Sequence, residues 1–118
     1  MTPADFETFC MSLPGATLVI QWGETHVFKV GGKIFAMASS AAMTGSESFM
    51  FKVSDMAFEL LIEHGLARPA PYLARAKWVQ LVSDDALPDV ELEAYLTQAH
   101  AIIAARLTRA LKRELGLI

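Results

Sequence analysis

Residues 26–37, HVFKVGGKIFAM, decide the fold class of this chain. Two apolar runs flank Gly31-Gly32, and a Gly-Gly pair suits the two-residue hairpin turns in which both central residues take a positive φ. The segment therefore predicts an antiparallel β-hairpin, with Val30 paired with Lys33 and Phe28 paired with Phe35.

Alternation along the strands assigns the side chains to two faces of a sheet. The face expected to meet the core carries Phe28, Val30, Phe35, Met37, Phe49, Phe51, Val53, Val79 and Leu81. The opposite face is expected to carry Val27, Lys29, Ile34, Ala36, Met50, Lys52, Trp78 and Gln80. This second face is expected to display lysines and a tryptophan ring to solvent.

Three helices are predicted from capping residues, helix-ending glycines and prolines, and apolar residues at helical spacing. The first is expected between Thr2 and Pro14-Gly15, and the second between Ser54 and Gly65. The third is expected from Pro88-Asp89 to a point near Leu115. Further strands are expected over residues 17–22, 49–53 and 77–82, and residues 66–73 are expected to form a loop stiffened by two prolines. The order α-β-β-β-β-α-β-α predicts one α+β domain over residues 1–118, a two-layer sandwich with an antiparallel sheet and helices on one face.

The composition limits the function classes. The chain has 118 residues, 53% of them apolar, and a formal net charge of −3, so any nucleic-acid binding has to come from a local basic patch. The single cysteine, Cys10, excludes an intrachain disulfide. The first residues lack the basic segment and the long apolar run of a signal peptide, and no segment reads as a membrane span, so a cytoplasmic protein is expected.

The sequence offers no pattern typical of a catalytic or metal centre. His26, His64 and His100 stand at no ligand spacing with one another or with Cys10, so no metal or other cofactor is expected. Neither a phosphate-binding glycine loop nor a nucleophile elbow is present. A protein that is not an enzyme is therefore expected.

The order and spacing of several segments resemble the MmcQ/YjbR family of small bacterial proteins. The segments are VFKVGGKIFAM, FKVSDMAFELL, Pro-Ala-Pro-Tyr at 69–72, Lys77-Trp78 before an apolar strand, and ALPDVELEAYLTQAH at 86–100. The resemblance covers roughly residues 15–107. It implies an α+β sandwich similar to the frataxin-like (CyaY-like) fold and a DNA-binding role, proposed for the family, through a double-wing motif. It attaches no catalytic residues to the chain.

The candidate nucleic-acid-binding residues lie on or beside the hairpin and the last strand: Lys29, Lys52, Arg75, Lys77 and Trp78. Lysine and arginine on a protruding hairpin can contact phosphates, and a tryptophan can stack on unpaired bases. The alternative is a solvated sheet face on which lysine stems half-bury Trp78. Arg106, Arg109 and Arg113 are expected on one face near the end of the last helix, where its dipole accounts for them without a ligand.

A second function class stays open. The nearly uncharged loop at 38–48, with Met37, Met43 and Met50 as adaptable apolar contacts, suits a protein- or small-ligand-binding module. The leading expectation is weak, salt-dependent binding of DNA. No protein partner can be named from the sequence.

Overall fold

The computed structural model describes residues 1–21, 24–39 and 48–118. Its helices are α1 (Pro3–Ser12), α2 (Asp55–Glu63), α3 (Asp89–Ala104) and α4 (Arg109–Glu114). Its strands are β1 (Ala16–Gln21), β2 (Thr25–Val30), β3 (Lys33–Ser39), β4 (Ser48–Lys52), β5 (Ala67–Pro69) and β6 (Trp78–Leu81). A short 3₁₀ helix spans Ala74–Ala76.

The strands form one antiparallel sheet in the order β1-β2-β3-β4-β6-β5. At the tip of the β2–β3 hairpin, Gly31 and Gly32 have φ values of +57° and +80°, and Val30 pairs with Lys33. Both glycines therefore occupy the left-handed region that a tight hairpin turn requires. The predicted α+β sandwich with an antiparallel sheet is confirmed.

A β-bulge changes the predicted register beyond the turn. Phe28 pairs with Ala36 and not with Phe35, because the register shifts by one residue between Phe28 and Lys29. The predicted faces of Ala36 and Met37 are therefore wrong: Ala36 joins the main core and Met37 joins the apolar cluster on the other face. An extra residue in one strand reverses the alternation of everything after it.

The main core lies between the sheet and the helices, on one face of the sheet. At its centre the Phe6 ring of α1 stacks on the Phe49 ring of β4, with 4.2 Å between centroids. His100 of α3 is also buried, and its Nε2 lies 2.7 Å from the Pro14 carbonyl oxygen, so that it ties α3 to the end of α1.

The opposite face of the sheet carries a smaller apolar cluster of Val27, Met37, Ala70 and Trp78. The chain between β5 and β6 crosses this face and is fastened to it by backbone hydrogen bonds. The Ala70 amide donates to the Trp78 carbonyl, and the Trp78 amide donates to the Leu73 carbonyl. The sheet is therefore covered in part on this side as well, by a loop and not by a regular helix.

Two predicted elements differ from the structure. Residues 66–73, predicted as a loop, contain β5, which adds an edge strand by pairing with β6. The last helix, predicted to continue to near Leu115, ends at Ala104. A separate helix follows, because the Thr108 hydroxyl accepts a hydrogen bond from the Leu111 amide and so begins α4.

Candidate nucleic-acid interface

Two of the five predicted binding residues are buried. Lys52 on β4 is only 7% exposed, and its ammonium group donates a hydrogen bond to the Ala76 carbonyl oxygen. Trp78 on β6 is 6% exposed and packs in the outer apolar cluster. The expectation that this face displays both side chains is wrong, because the chain from Ala70 to Lys77 lies over them.

The other three predicted residues differ in their surroundings. Lys77 follows the 3₁₀ helix with a φ of +61°, and its ammonium group lies 4.7 Å from the centroid of the Phe58 ring on α2. This cation–π contact directs the charge of Lys77 towards the helix. Arg75 is exposed on the 3₁₀ helix, and Lys29 is half-buried on β2 beside its strand partner Ile34.

Positive charge converges around Lys52. The pKa of the Lys52 ammonium is lowered, first by burial and then by the charges of Arg106 and Lys77, while Asp55 acts in the opposite direction. Desolvation and like charges both disfavour the protonated form of a lysine. Arg106, which follows α3, therefore lies near Lys52 on β4. From the sequence, only residues on or beside the strands were expected in this region.

A cleft of about 580 Å³ opens where β3 begins and α3 ends. We call it the outer cleft. Its walls include the apolar side chains of Ile34, Met37, Trp78 and Ile103, and Lys33 and Arg106 are its cationic lining residues. Both of these cations are exposed to solvent. The outer cleft therefore combines an apolar interior with positive charge at its entrance.

Tyr72 also lines the outer cleft and is the most unusual residue there. Its side chain is fully exposed, and its backbone has a φ of +65°. A bulky residue rarely adopts this left-handed conformation, which is disfavoured by contacts of its Cβ. The preceding Pro71 fixes the start of this turn, and the aromatic ring extends into solvent.

The sequence did not indicate that three residues of the outer cleft lie together: Lys33, Tyr72 and Arg106. Lys33 stands directly after the glycine turn, and Tyr72 follows Pro71, so both had a local signal for an exposed turn position. Arg106 had none. It was expected on a helical face with Arg109 and Arg113, but the break after α3 places it outside both helices.

A second cleft of about 510 Å³ lies between α1 and the ends of β2, β3 and β4. Here His26 Nδ1 lies 2.8 Å from Glu7 Oε1, and Ala38 and Ser39 contribute to the lining. Most of the loop at 38–48, the alternative binding segment, lies outside the described residues.

Three further observations concern metal binding, thiol reactivity and membrane insertion in the described part of the chain. Residues 1–21, 24–39 and 48–118 contain no group of three or more His, Cys, Asp or Glu side chains that could hold a metal ion. Burial raises the pKa of the Cys10 thiol, which disfavours the reactive thiolate. None of the helices in these residues is long and apolar enough to cross a bilayer.

These features define a small α+β domain with a cation-lined cleft on the less covered face of its sheet. The YjbR family model matches residues 11–102, and the chain belongs to this family. It is 32% identical to "Uncharacterized protein YjbR" of Escherichia coli K12, in a match that covers 98% of this chain and 97% of the relative. The corresponding protein of Escherichia coli O157:H7 matches to the same extent.

A solved structure supports the fold. The crystal structure of Deinococcus radiodurans protein DR2400, described as a DUF419 domain, matches with a TM-score of 0.84. The match covers 98% of this chain and 88% of the other, at 24% sequence identity. It shows a shared fold.

Proposed function

We propose that this protein is a non-enzymatic, cytoplasmic nucleic-acid-binding protein that contacts phosphates around the outer cleft. The cations that would make these contacts are Lys33 and Arg106, which are exposed and line the cleft. Two more would join them: the half-buried Lys29, the strand partner of the lining residue Ile34, and the exposed Arg75, two residues after the lining residue Leu73. Lys52 and Lys77 are engaged with the protein itself and contribute to the local positive potential.

The observation that carries this proposal is a concentration of lysine and arginine side chains that form no ion pair among the described residues. Among the described residues, the two ion pairs join the Met1 amino group to Asp89 and His26 to Glu7, so neither involves a lysine or an arginine. Cations gathered at one place repel one another, and the charges of Arg106 and Lys77 add to burial, the larger cause, in lowering the pKa of Lys52. An anionic ligand at the outer cleft relieves this repulsion.

The overall acidic charge sets the expected strength of binding. With a net charge of −3, the whole molecule does not attract a polyanion over long distances. Binding then depends on the few local contacts and weakens as salt is added. With about four phosphate contacts, log K plotted against log salt should have a slope of roughly −3 to −4 on duplex DNA.

The test is a titration of fluorescent DNA at salt concentrations from about 20 mM to about 200 mM. The double variant Lys33→Ala/Arg106→Ala should flatten the slope by about two units, since each lost phosphate contact removes close to one. The matched control is Arg109→Ala/Arg113→Ala, which changes the net charge equally at exposed positions on α4.

The control should keep the slope of the original protein. If the slope flattened equally in both double variants, the phosphate contacts would include α4 or binding would depend only on the net charge of the protein. Either result would contradict a binding surface at the outer cleft. Absence of any salt-dependent binding at about 20 mM salt, where counterion release most favours association, would reject the proposal. It would leave the interaction-module alternative at residues 38–48 as the hypothesis to pursue.

A further inference from the structure

Neither the backbone conformation of Tyr72 nor the burial of its ring accounts for a tyrosine at this position. A left-handed φ disfavours a bulky residue, and a fully exposed ring gains no burial in return. Glycine or asparagine would adopt the same turn more readily. Non-glycine residues held in sparsely populated conformations concentrate at ligand-binding sites. The position therefore suggests a role for the ring in contacting something outside the molecule.

The surroundings of Tyr72 specify what that ligand would be. The ring borders the outer cleft, whose interior is apolar and whose edge carries Lys33 and Arg106. A flat, partly apolar group can enter such a cleft or stack on the ring while an attached anionic group contacts the two cations. An unpaired nucleotide has both parts, since its base offers a stacking face and its phosphate a negative charge.

A duplex cannot make the same contact without opening. Its bases are stacked within the helix, and extruding one costs unstacking and unpairing energy. The phosphates of a duplex would reach Lys33 and Arg106 but would leave Tyr72 and the apolar walls without a partner. Single-stranded and duplex DNA would therefore both contact Lys33 and Arg106, but only the single strand would also contact Tyr72.

We propose that the outer cleft binds single-stranded nucleic acid, with Tyr72 stacking on an unpaired base and with Lys33 and Arg106 contacting the adjoining phosphates. The inference rests on the proposed function and specifies its ligand. Single strands are expected to bind more tightly than duplexes that carry the same number of phosphates.

The experiment compares an unstructured thymidine strand with a duplex of equal phosphate number at low salt. Tyr72→Ala should weaken binding of the single strand about tenfold, which corresponds to the usual contribution of one base–aromatic stack. It should leave duplex binding nearly unchanged. Tyr72→Phe retains the stacking face and should bind the single strand like the original protein.

Tyr72→Gly separates loss of binding from loss of folding. Glycine relieves the left-handed strain, so this variant should melt at or above the temperature of the original protein while it loses single-strand binding as Tyr72→Ala does. Met56→Ala, at an exposed apolar position on α2, is the control for removing an exposed side chain elsewhere.

The outcomes distinguish the two proposals. Suppose that both DNA forms bind equally, that the Tyr72 substitutions have no effect and that Lys33→Ala/Arg106→Ala abolishes binding. This result would overturn the single-strand inference and support the proposed function. No binding of either form at low salt would overturn both. Single-strand binding that falls in Tyr72→Ala and Tyr72→Gly, but not in Tyr72→Phe, is the expected result.

Discussion

At the scale of single residues, the two turn glycines have different surroundings. A Cβ added to Gly31 would lie 2.6 Å from Leu107 Cδ1, whereas one added to Gly32 would meet open space. Leu107 is itself buried, so it cannot move aside without losing packing. The hairpin tip thus packs against Leu107, in the segment between α3 and α4.

This difference predicts unequal costs for the same substitution. Gly32→Ala should lower the free energy of unfolding by about 1 kcal/mol, because only the positive φ opposes it. Gly31→Ala should cost about 2 to 3 kcal/mol, since overpacking adds to that strain. Chemical denaturation of both variants measures the difference.

A double-mutant cycle isolates the contact. In the background of Leu107→Ala, the two glycine substitutions should cost the same amount, because the obstructing side chain is gone. If Gly31→Ala remained the more damaging change in that background, the close approach of Leu107 would not be its cause.

At the scale of elements, α1 has a reciprocal cap at its start. The Thr2 hydroxyl accepts a hydrogen bond from the Asp5 amide, and the Asp5 carboxylate accepts one from the Thr2 amide. Thr2→Ala should lower the free energy of unfolding by about 1 kcal/mol. Thr8→Ala, at an exposed position within the same helix, is the matched control and should be neutral or slightly stabilising, since alanine is the better helix former.

The same cap predicts a pH dependence. The backbone and side-chain hydrogen bonds of Thr2 hold the pKa of Asp5 below its usual value. A carboxylate with a lowered pKa in the folded state stabilises that state fully above its unfolded-state pKa, and the contribution disappears as the pH falls through the folded-state pKa. Asp5→Asn should therefore lower stability near neutral pH but not in strong acid. Thermal unfolding across that range checks this, and equal effects at both ends would contradict it.

Elements with local signals could be predicted from the sequence, whereas irregularities that depend on neighbours could not. The caps at Thr2 and Ser54 and the glycine turn are encoded within a few residues and are confirmed. The break after α3 was missed because Ile103, Leu107 and Leu111 keep helical spacing across it. The bulge in β3 is likewise invisible in an apolar run, in which either register buries hydrophobic side chains.

At the scale of the whole molecule, the outer cleft assembles residues that are far apart in the chain. Lys33 begins β3 and Arg106 lies in the segment after α3, so both line the cleft only because α3 ends close to the start of β3. The sequence could identify basic residues but not which ones remain free. Lys52 was expected to be available and is instead bound to the Ala76 carbonyl, because the Ala70–Lys77 chain folds over its strand.

The burial of Cys10 gives the molecule an internal reporter of its own opening. It is the chain's single cysteine, lies on α1 and is fully buried where that helix packs into the core. A water-soluble thiol reagent can reach it only when α1 detaches or the whole domain unfolds, so the labelling rate reports the population of open molecules. Thr2→Ala should speed labelling about fivefold if the cap contributes about 1 kcal/mol, and Thr8→Ala should leave it unchanged or slower. Rapid labelling of the original protein would mean that α1 is only loosely attached to the sheet.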